Sequence, residues 1–529
     1  MLFRSHAAGL RVLLWQIPVL KKSPEVAEHR QRLLDEEFMI AHGYCIRNGD
    51  GTPYHIPTIP PRWFEGSLLM DFTNPEAVEW WFAKRRYLVE ELNADGFKTD
   101  GGEFLWGDDV RLHDGSSGTE LHNSYSLLYI RAYRHFLQAL RGNDALTFSR
   151  SGFTGAHLYP AHWAGDELST FAAFRHSLVA GLTAGLSGIA FWGWDLAGFS
   201  GEIPSADLYC RAAAMATFCP IMQYHAERKS NPSIDRTPWN IAERTGRREV
   251  LSIYRRFANL RMNLLPYIFS QACASVASGL PLMRAMAIDY PEDHLARDAE
   301  DQYLFGDAFL VAPVLEENAR GRYVYLPAGD WINFWTGERR VGPARIWEEH
   351  DWSSLPVFVR AGSVIPMNLG RGREYGSPVG NRVDDYSGLT FVIAPAGSPT
   401  SSPPADSLQA KWWYSDEQRP VLIAGRRHRG RVEITLDSLP HQVDAYTVAA
   451  YIPKPSAVRC GSLPLQPVEA SEVAEVSEAT TNGYPPGVCC QGIWWYDHRR
   501  RMAFARLPAS TVGSVLEFDH IDCEEGGDR

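Results

Sequence analysis

Two acidic residues in this sequence stand where carboxylate chemistry is done. Asp100 ends a short apolar run, Gly96-Phe97-Lys98-Thr99, and two glycines follow it (ADGFKTDGGE, residues 94–103). A carboxylate is therefore set where a strand stops and the backbone can turn sharply. In folds that alternate strands and helices, side chains at the carboxyl ends of the strands face the open mouth where ligands bind. The second acid, Asp166, closes His162-Trp163-Ala164-Gly165-Asp166, one loop after a strand-like run that ends at Arg150 (ALTFSRSG, residues 145–152). An indole beside a carboxylate, with a guanidinium close behind, suits a sugar: the ring stacks on its apolar face, the arginine donates to hydroxyls, and the acid meets the bond to be cut. Cutting a glycosidic bond with retention asks for two carboxyl groups about 5–5.5 Å apart, one attacking the anomeric carbon and one protonating the leaving oxygen. Plainer roles stay open to the same residues. Asp100 could be a turn aspartate before Gly-Gly, Lys98 could line a barrel, Arg150 could pair with an interior acid, and Trp163 could be core.

Four stretches in one order carry a resemblance. GFKTDGGE (96–103), RSGFTGAHLYPAHWAGD (150–166), GIAFWGWDLAGF (188–199) and LPYIF (265–269) resemble the successive motifs of glycoside hydrolase family 31, the retaining α-glucosidase and α-xylosidase family, over roughly residues 10–314. The resemblance implies that Asp100 is the nucleophile and Asp166 the acid/base. It implies that Trp15, Trp163, Phe199 and His225 shape the sugar pocket and that Asp195 accepts from sugar hydroxyls. His225 taken alone reads equally well as a core histidine. Physical chemistry agrees in outline, since Lys98 and Arg150 are cations able to keep Asp100 ionised, while Trp163 offers Asp166 a less polar setting that raises its pKa.

Two positions depart from the family pattern. Gly101 stands where an aromatic residue or methionine often follows the nucleophile, and Trp194 before Asp195 is bulkier than a small residue or histidine. Both departures imply a pocket reshaped for something other than a plain glucoside, such as a galactoside, xyloside or modified sugar. The activity implied is that of a retaining, exo-acting α-glycosidase. It would hydrolyse terminal α-linked sugars, α-glucosides or related oligosaccharides, through a covalent glycosyl-enzyme intermediate and with no cofactor. A transglycosylase or lyase of the same family, and an inactive carbohydrate-binding fragment, are the alternatives. A metal site is disfavoured because the acids lie on separate strand ends without histidines at ligand spacing.

The elements that must position these residues read as an alternation of strands and helices. Strands are predicted over residues 10–18, buried on both faces, and at the runs ending at Asp100, Arg150, Asp166 and Asp195, with 219–225 the last. Helices are predicted from Asn74-Pro75 to about Leu92, over 122–141, 169–186 and 247–278, with a loop rich in Gly, Pro and aromatics over 44–65. The fold class is thus α/β, a (β/α)8-type barrel. Six strands are found where a closed barrel needs eight, so it reads as incomplete at its N-terminus. Family 31 places two strands and a β-sandwich before the segment resembling residues 10–18. After residue 280, short strand-like runs at 301–314, 321–327, 330–335 and 355–365, then 411–414, 431–436 and 445–452, predict all-β sandwich domains. The expected divisions are 1–280 for the barrel, 281–370 for a proximal β-sandwich and 371–529 for a distal β-rich domain, with 398–404 (SPTSSPP) a linker-like loop and 524–529 frayed.

Composition narrows the partners. A chain of 529 residues exceeds what one core holds. Net charge is -11 and no long Lys/Arg run occurs, which disfavours nucleic acid and anionic membranes. No apolar run reaches the ~18–20 residues that cross a bilayer, and residues 1–18 lack a signal-peptide cleavage pattern. A cytoplasmic protein with an oligosaccharide or α-glycoside substrate is expected, and a homo-oligomer is left open. The eight cysteines show no C-x-x-C pair and no zinc-like spacing, which points to free buried thiols.

Overall fold

Glycine at position 96 governs how closely the first parallel strands lie, because a Cβ there would run into the Leu146 carbonyl oxygen. The computed structural model describes residues 2–22, 29–58, 63–227, 233–370, 373–383, 386–396, 407–414, 420–428, 430–441, 443–471 and 492–519. It has two compact units, Met1–Gly165 and Asp166–Arg529. The linker-like run 398–404, the tail 524–529 and Cys489, Cys490 and Cys523 lie outside the described residues.

The first unit holds four parallel strands in spatial order β1 (Leu13–Gln16), β2 (Gly96–Thr99), β3 (Leu146–Ser149) and β4 (Ala161–Trp163). The expectation that β1 is buried on both faces fails. Leu13 and Leu14 are half-buried and Trp15 is 44% exposed, because among the described residues β1 pairs only with β2. The helix start at Asn74 is as read: its side chain accepts from the backbone N–H groups of Glu76 and Ala77, and Pro75 opens α1 (Pro75–Ala83). The helix does not run on to Leu92 but breaks at Lys84 and resumes as α2 (Arg86–Glu90).

Next, α3 (Tyr125–Arg141) buries Tyr129, Tyr133 and Phe136. Phe97 of β2 meets Tyr133 edge-on at 5.4 Å. The hydroxyls of Tyr129 and Tyr133 donate to the carbonyl and side-chain oxygens of Gln16, each at 3.1 Å, pinning the end of β1.

In the second unit α4 (Phe171–Leu186) precedes β5 (Trp192–Gly193). Residues 219–225, read as the last barrel strand, form none. Pro220 has no N–H to give, and the segment runs beside β5 through Ile221 N to Trp192 O at 3.2 Å, Leu196 N to Gln223 O at 3.0 Å and one isolated parallel bridge, Asp195 to Gln223, without a continuous ladder. Three further helices follow, α5 (Ala206–Ala216), α6 (Pro238–Thr245) and α7 (Glu249–Asn263), then α8 (Leu265–Ser278). The single helix predicted over 247–278 is thus two. Pro266 at the start of α8 lacks the N–H that would bond back into α7.

The all-β part begins with a six-stranded sheet spanning residues 283–360. The runs at 321–327 and 330–335 are one strand, β6 (Gly321–Asn333), whose register shifts between Leu326 and Gly329. Its partner β7 (Arg339–Glu349) has an alternating half-exposed pattern that hid it in the sequence. The run 355–365 divides at Gly362, φ +88°, into β8 (Val357–Arg360) in this sheet and β9 (Ser363–Asn368) in the next. Two more six-stranded sheets lie within residues 363–519, and side chains from both, among them Phe391, Val448, Trp412 and Ile423, share one core. Cys45, Cys210, Cys219 and Cys460 are buried thiols.

Candidate active site

The β2 strand ends by delivering Asp100 into a ring of donors. The Trp15 indole N–H donates to Oδ2 at 2.7 Å and the Gly101 backbone N–H to Oδ1 at 2.8 Å. The Arg150 guanidinium stands 3.0 Å from Oδ1. All three come from strand ends or the turn after one: Trp15 from β1, Gly101 after β2, and Arg150 directly after β3. The backbone registers the ends as well, with Asp100 N bonded to Gln16 O at 2.8 Å and Arg150 N to Thr99 O at 3.2 Å. Arg150 also holds Glu103 through two bonds, Nε to Oε1 at 3.1 Å and Nη2 to Oε2 at 3.0 Å. That fork is planar, and its geometry fixes the guanidinium plane beside Asp100.

Of the other residues expected in this unit, Lys98 faces a ring. Its Nζ lies 4.2 Å from the Trp163 ring centroid, a cation–π contact. Trp163 is buried, packs on Phe148 at 5.0 Å, and its indole N–H has no partner among the described residues. Neighbouring His162 is also buried, with both ring nitrogens unpartnered, and burial drives its pKa down to about 4, so the imidazole is neutral.

The room expected at Gly101 is filled. Gly101 has φ +73°, and a Cβ would stand 2.6 Å from the Phe104 ring, so Phe104 supplies the large side chain that position 101 lacks. Sequence reasoning missed Trp63. It is 53% exposed and its ring lies 6.5 Å from that of Trp15, a second exposed indole beside the one that bonds Asp100. The aromatic-rich composition of residues 44–65 was the available signal.

In the second unit Asp166 is exposed, and its carbonyl accepts from the Ser200 hydroxyl at 2.9 Å. The Glu167 carbonyl accepts the N–H groups of Phe199 and Ser200 at 2.8 and 2.9 Å, which ties the acid loop to the turn after β5. Burial lies at Glu167 rather than at Asp166. Both Glu167 carboxyl oxygens are out of solvent without a partner among the described residues, and desolvation, with Asp195 and Asp166 nearby, pushes its pKa up to about 8. Nothing in the sequence marked Glu167 beyond its place after Asp166.

Asp195 is buried and accepts from Gln223 Nε2 at 3.0 Å. Phe199 and His225 meet edge to face at 4.4 Å. Trp194 does not border the pocket side of this group. It is 2% exposed and stacks on Trp192 and Phe174 in the core, since alternate residues of an extended segment point to opposite faces. Among the described residues no group of three His, Cys, Asp or Glu side chains could hold a metal ion, and no helix is long and apolar enough to cross a membrane.

Residues 1–271 match the model of the glycosyl hydrolases family 31 TIM-barrel domain, and residues 279–365 match that of the glycosyl hydrolase family 31 C-terminal domain. The chain is 38% identical over 520 residues, 98% of its length and 45% of the relative's, to an isomaltosyltransferase from Sporosarcina globispora. It is 45% identical over 358 residues, 67% of its length and 48% of the relative's, to a 1,3-alpha-isomaltosidase from Kribbella flavida.

Among solved structures, the cycloalternan-forming enzyme from Listeria monocytogenes, in complex with a pentasaccharide substrate, aligns with a TM-score of 0.87 at 36% identity. That alignment covers 98% of this chain and 46% of that one. The cycloalternan-degrading enzyme from Trueperella pyogenes, in complex with a covalent intermediate, aligns with a TM-score of 0.64 at 44% identity over 68% of this chain and 49% of that one. The chain spans about half the length of the curated relatives it matches.

Proposed function

Because the chain belongs to glycosyl hydrolase family 31, we propose that it carries the catalytic barrel of a retaining enzyme that transfers isomaltosyl groups between α-gluco-oligosaccharides, with Asp100 as nucleophile and Asp166 as acid/base. In the first step an oxygen of Asp100 attacks the anomeric carbon. The glycosidic C–O bond breaks, its electron pair goes to the leaving oxygen, and that oxygen takes the proton of Asp166, leaving a covalent glycosyl ester. In the second step Asp166 takes the proton of an incoming hydroxyl, which attacks the same carbon and releases Asp100. A sugar hydroxyl gives transfer; water gives hydrolysis. Trp15, Lys98, Arg150, Trp163, Asp195, Phe199 and His225 would form the sugar pocket.

The observation that carries this reading is the donor set on Asp100. The Trp15 indole at 2.7 Å, the Gly101 amide at 2.8 Å and the Arg150 guanidinium at 3.0 Å orient a single carboxylate at the end of a barrel strand. Transfer is favoured over hydrolysis by the extent of the likeness. Similarity to the isomaltosyltransferase and the cycloalternan-forming enzyme runs over 98% of the chain, whereas similarity to the isomaltosidase and the cycloalternan-degrading enzyme covers 67–68%. Hydrolysis of terminal α-glucosidic bonds by the same intermediate is the second reading.

The test is trapping with a mechanism-based α-glycosyl inhibitor, followed by peptide mapping. A label on Asp100 is expected, and a label elsewhere in a folded, active sample overturns the assignment. Product analysis on isomaltosyl-terminated donors then separates the two readings, since transfer yields longer saccharides where hydrolysis yields free isomaltose.

A further inference from the structure

The second unit carries an open cavity of about 1220 Å³ that none of Asp166, Asp195, Phe199 and His225 lines. The first turns of α5 form one side of it, and the loop at 317–320 and residues 348–354 form much of the rest. It exceeds the ~300–1,000 Å³ of a site for a drug-sized molecule, so it has room for more than one sugar ring.

Three features of its wall describe a ligand. The first is an orphan donor. Arg211 has a side chain only 3% exposed, its Nε bonded to Asp207 at 2.6 Å and its Nη2 to the Ala319 carbonyl at 2.5 Å, while Nη1 has no partner among the described residues. A buried charged donor left unpaired is costly, and an acceptor that reached it would relieve that cost.

The second is the balance of charge, since the lining holds five arginines and five carboxylates. An anion would meet as many carboxylates as guanidinium groups, and a metal ion as many guanidinium groups as carboxylates. A neutral polyhydroxylated ligand can use donors and acceptors alike.

The third is a pair of half-buried indoles, each under a guanidinium. Arg247 lies 4.4 Å from the Trp352 ring centroid and Arg256 lies 5.2 Å from that of Trp335. A glucopyranose carries axial C–H groups on its faces, which pack on flat apolar rings, and equatorial hydroxyls round its rim, which accept from guanidinium N–H groups.

We propose that this cavity is a second carbohydrate-binding site, taking an uncharged α-gluco-oligosaccharide of more than one ring. The α-gluco class of the ligand rests on the function proposed above, whereas the site itself does not, because its residues are separate from those assigned to bond cleavage.

The test uses the whole chain and a photoreactive isomaltotetraose, with crosslinked peptides mapped after digestion. Adducts are expected on peptides from residues 333–354. Their yield is expected to fall about tenfold or more in Trp352→Ala and in Arg247→Gln, while adducts on peptides containing Asp100 keep their yield. Arg247 is 53% exposed, so Arg247→Gln keeps the fold and decides the matter if Trp352→Ala fails to fold by circular dichroism. Absence of adducts on residues 333–354, or an unchanged yield there in the folded variants, overturns the proposal. Loss of adducts at Asp100 alone leaves the second site standing and counts against the catalytic reading.

Discussion

The Arg150 guanidinium stands 3.0 Å from Asp100 while gripping Glu103 through two parallel bonds, so one planar cation serves two carboxylates. Lysine cannot reproduce that arrangement, because an ammonium is a point charge without the fork that Glu103 aligns. Arg150→Lys is expected to lower kcat/KM about 10²-fold, and Glu103→Gln, which loosens the grip without removing the cation, about tenfold. Steady-state kinetics on an activated α-glucoside, with circular dichroism to verify the fold, measures both. Near-normal activity in Arg150→Lys would reduce Arg150 to a structural role.

Trp15 acts on Asp100 from the other side, donating to Oδ2 at 2.7 Å. Trp15→Phe keeps an aromatic surface and removes only the N–H. A hydrogen bond to a charged group contributes about 1.5–3 kcal/mol, so kcat/KM is expected to fall about 10- to 100-fold. If the bond orients the nucleophile for attack, the loss appears in kcat. A change confined to KM would instead assign Trp15 to sugar stacking.

The residues around Asp100 were legible because their signals are local. An apolar strand, a carboxylate and a Gly-Gly turn lie within residues 94–103, and the guanidinium follows the next strand at Arg150. Capping at Asn74 was legible for the same reason, its side chain bonding only two and three residues ahead. What the sequence hid depends on contacts far along the chain or on burial. Lys98 reads as a cation for Asp100, yet its ammonium meets the ring of Trp163, 65 positions on. Glu167 looks like one more loop acid, and only the removal of both its oxygens from solvent sets it apart. The strand at 219–225 failed because apolar content cannot report a missing ladder, and β7 was overlooked because half its residues face solvent.

Gly101 offers a test of whether its role is specificity or geometry. Its φ of +73° and the Phe104 ring 2.6 Å from a virtual Cβ both oppose any side chain. Gly101→Ala is therefore expected to destabilise the protein by about 1–3 kcal/mol through strain and steric conflict, and to lower activity on every α-glycoside tested. Thermal melts and a panel of nitrophenyl α-glycosides examine the two effects together. A variant of native stability with only a shifted sugar preference would return position 101 to the role of a pocket wall.

Glu167 makes stability fall as pH rises. Its carboxyl titrates near 8 in the folded chain, against an ordinary 4.5, because burial penalises the charged form. Below about pH 4.5 both folded and unfolded chains hold the proton and the group contributes nothing. Between about 4.5 and 8 the unfolded chain has lost the proton that the folded one keeps, so the unfolded state binds fewer protons and stability declines with pH; above about 8 the penalty is complete. Glu167→Gln removes the titration. The variant is expected to show a flatter dependence of Tm on pH across 5 to 8 and to gain on the parent steadily toward the alkaline end, by roughly 3 kcal/mol near neutral pH if the glutamine finds no worse packing. Parallel slopes in the two proteins would mean that Glu167 is ionised in the folded chain, its oxygens reached by water or by a cation.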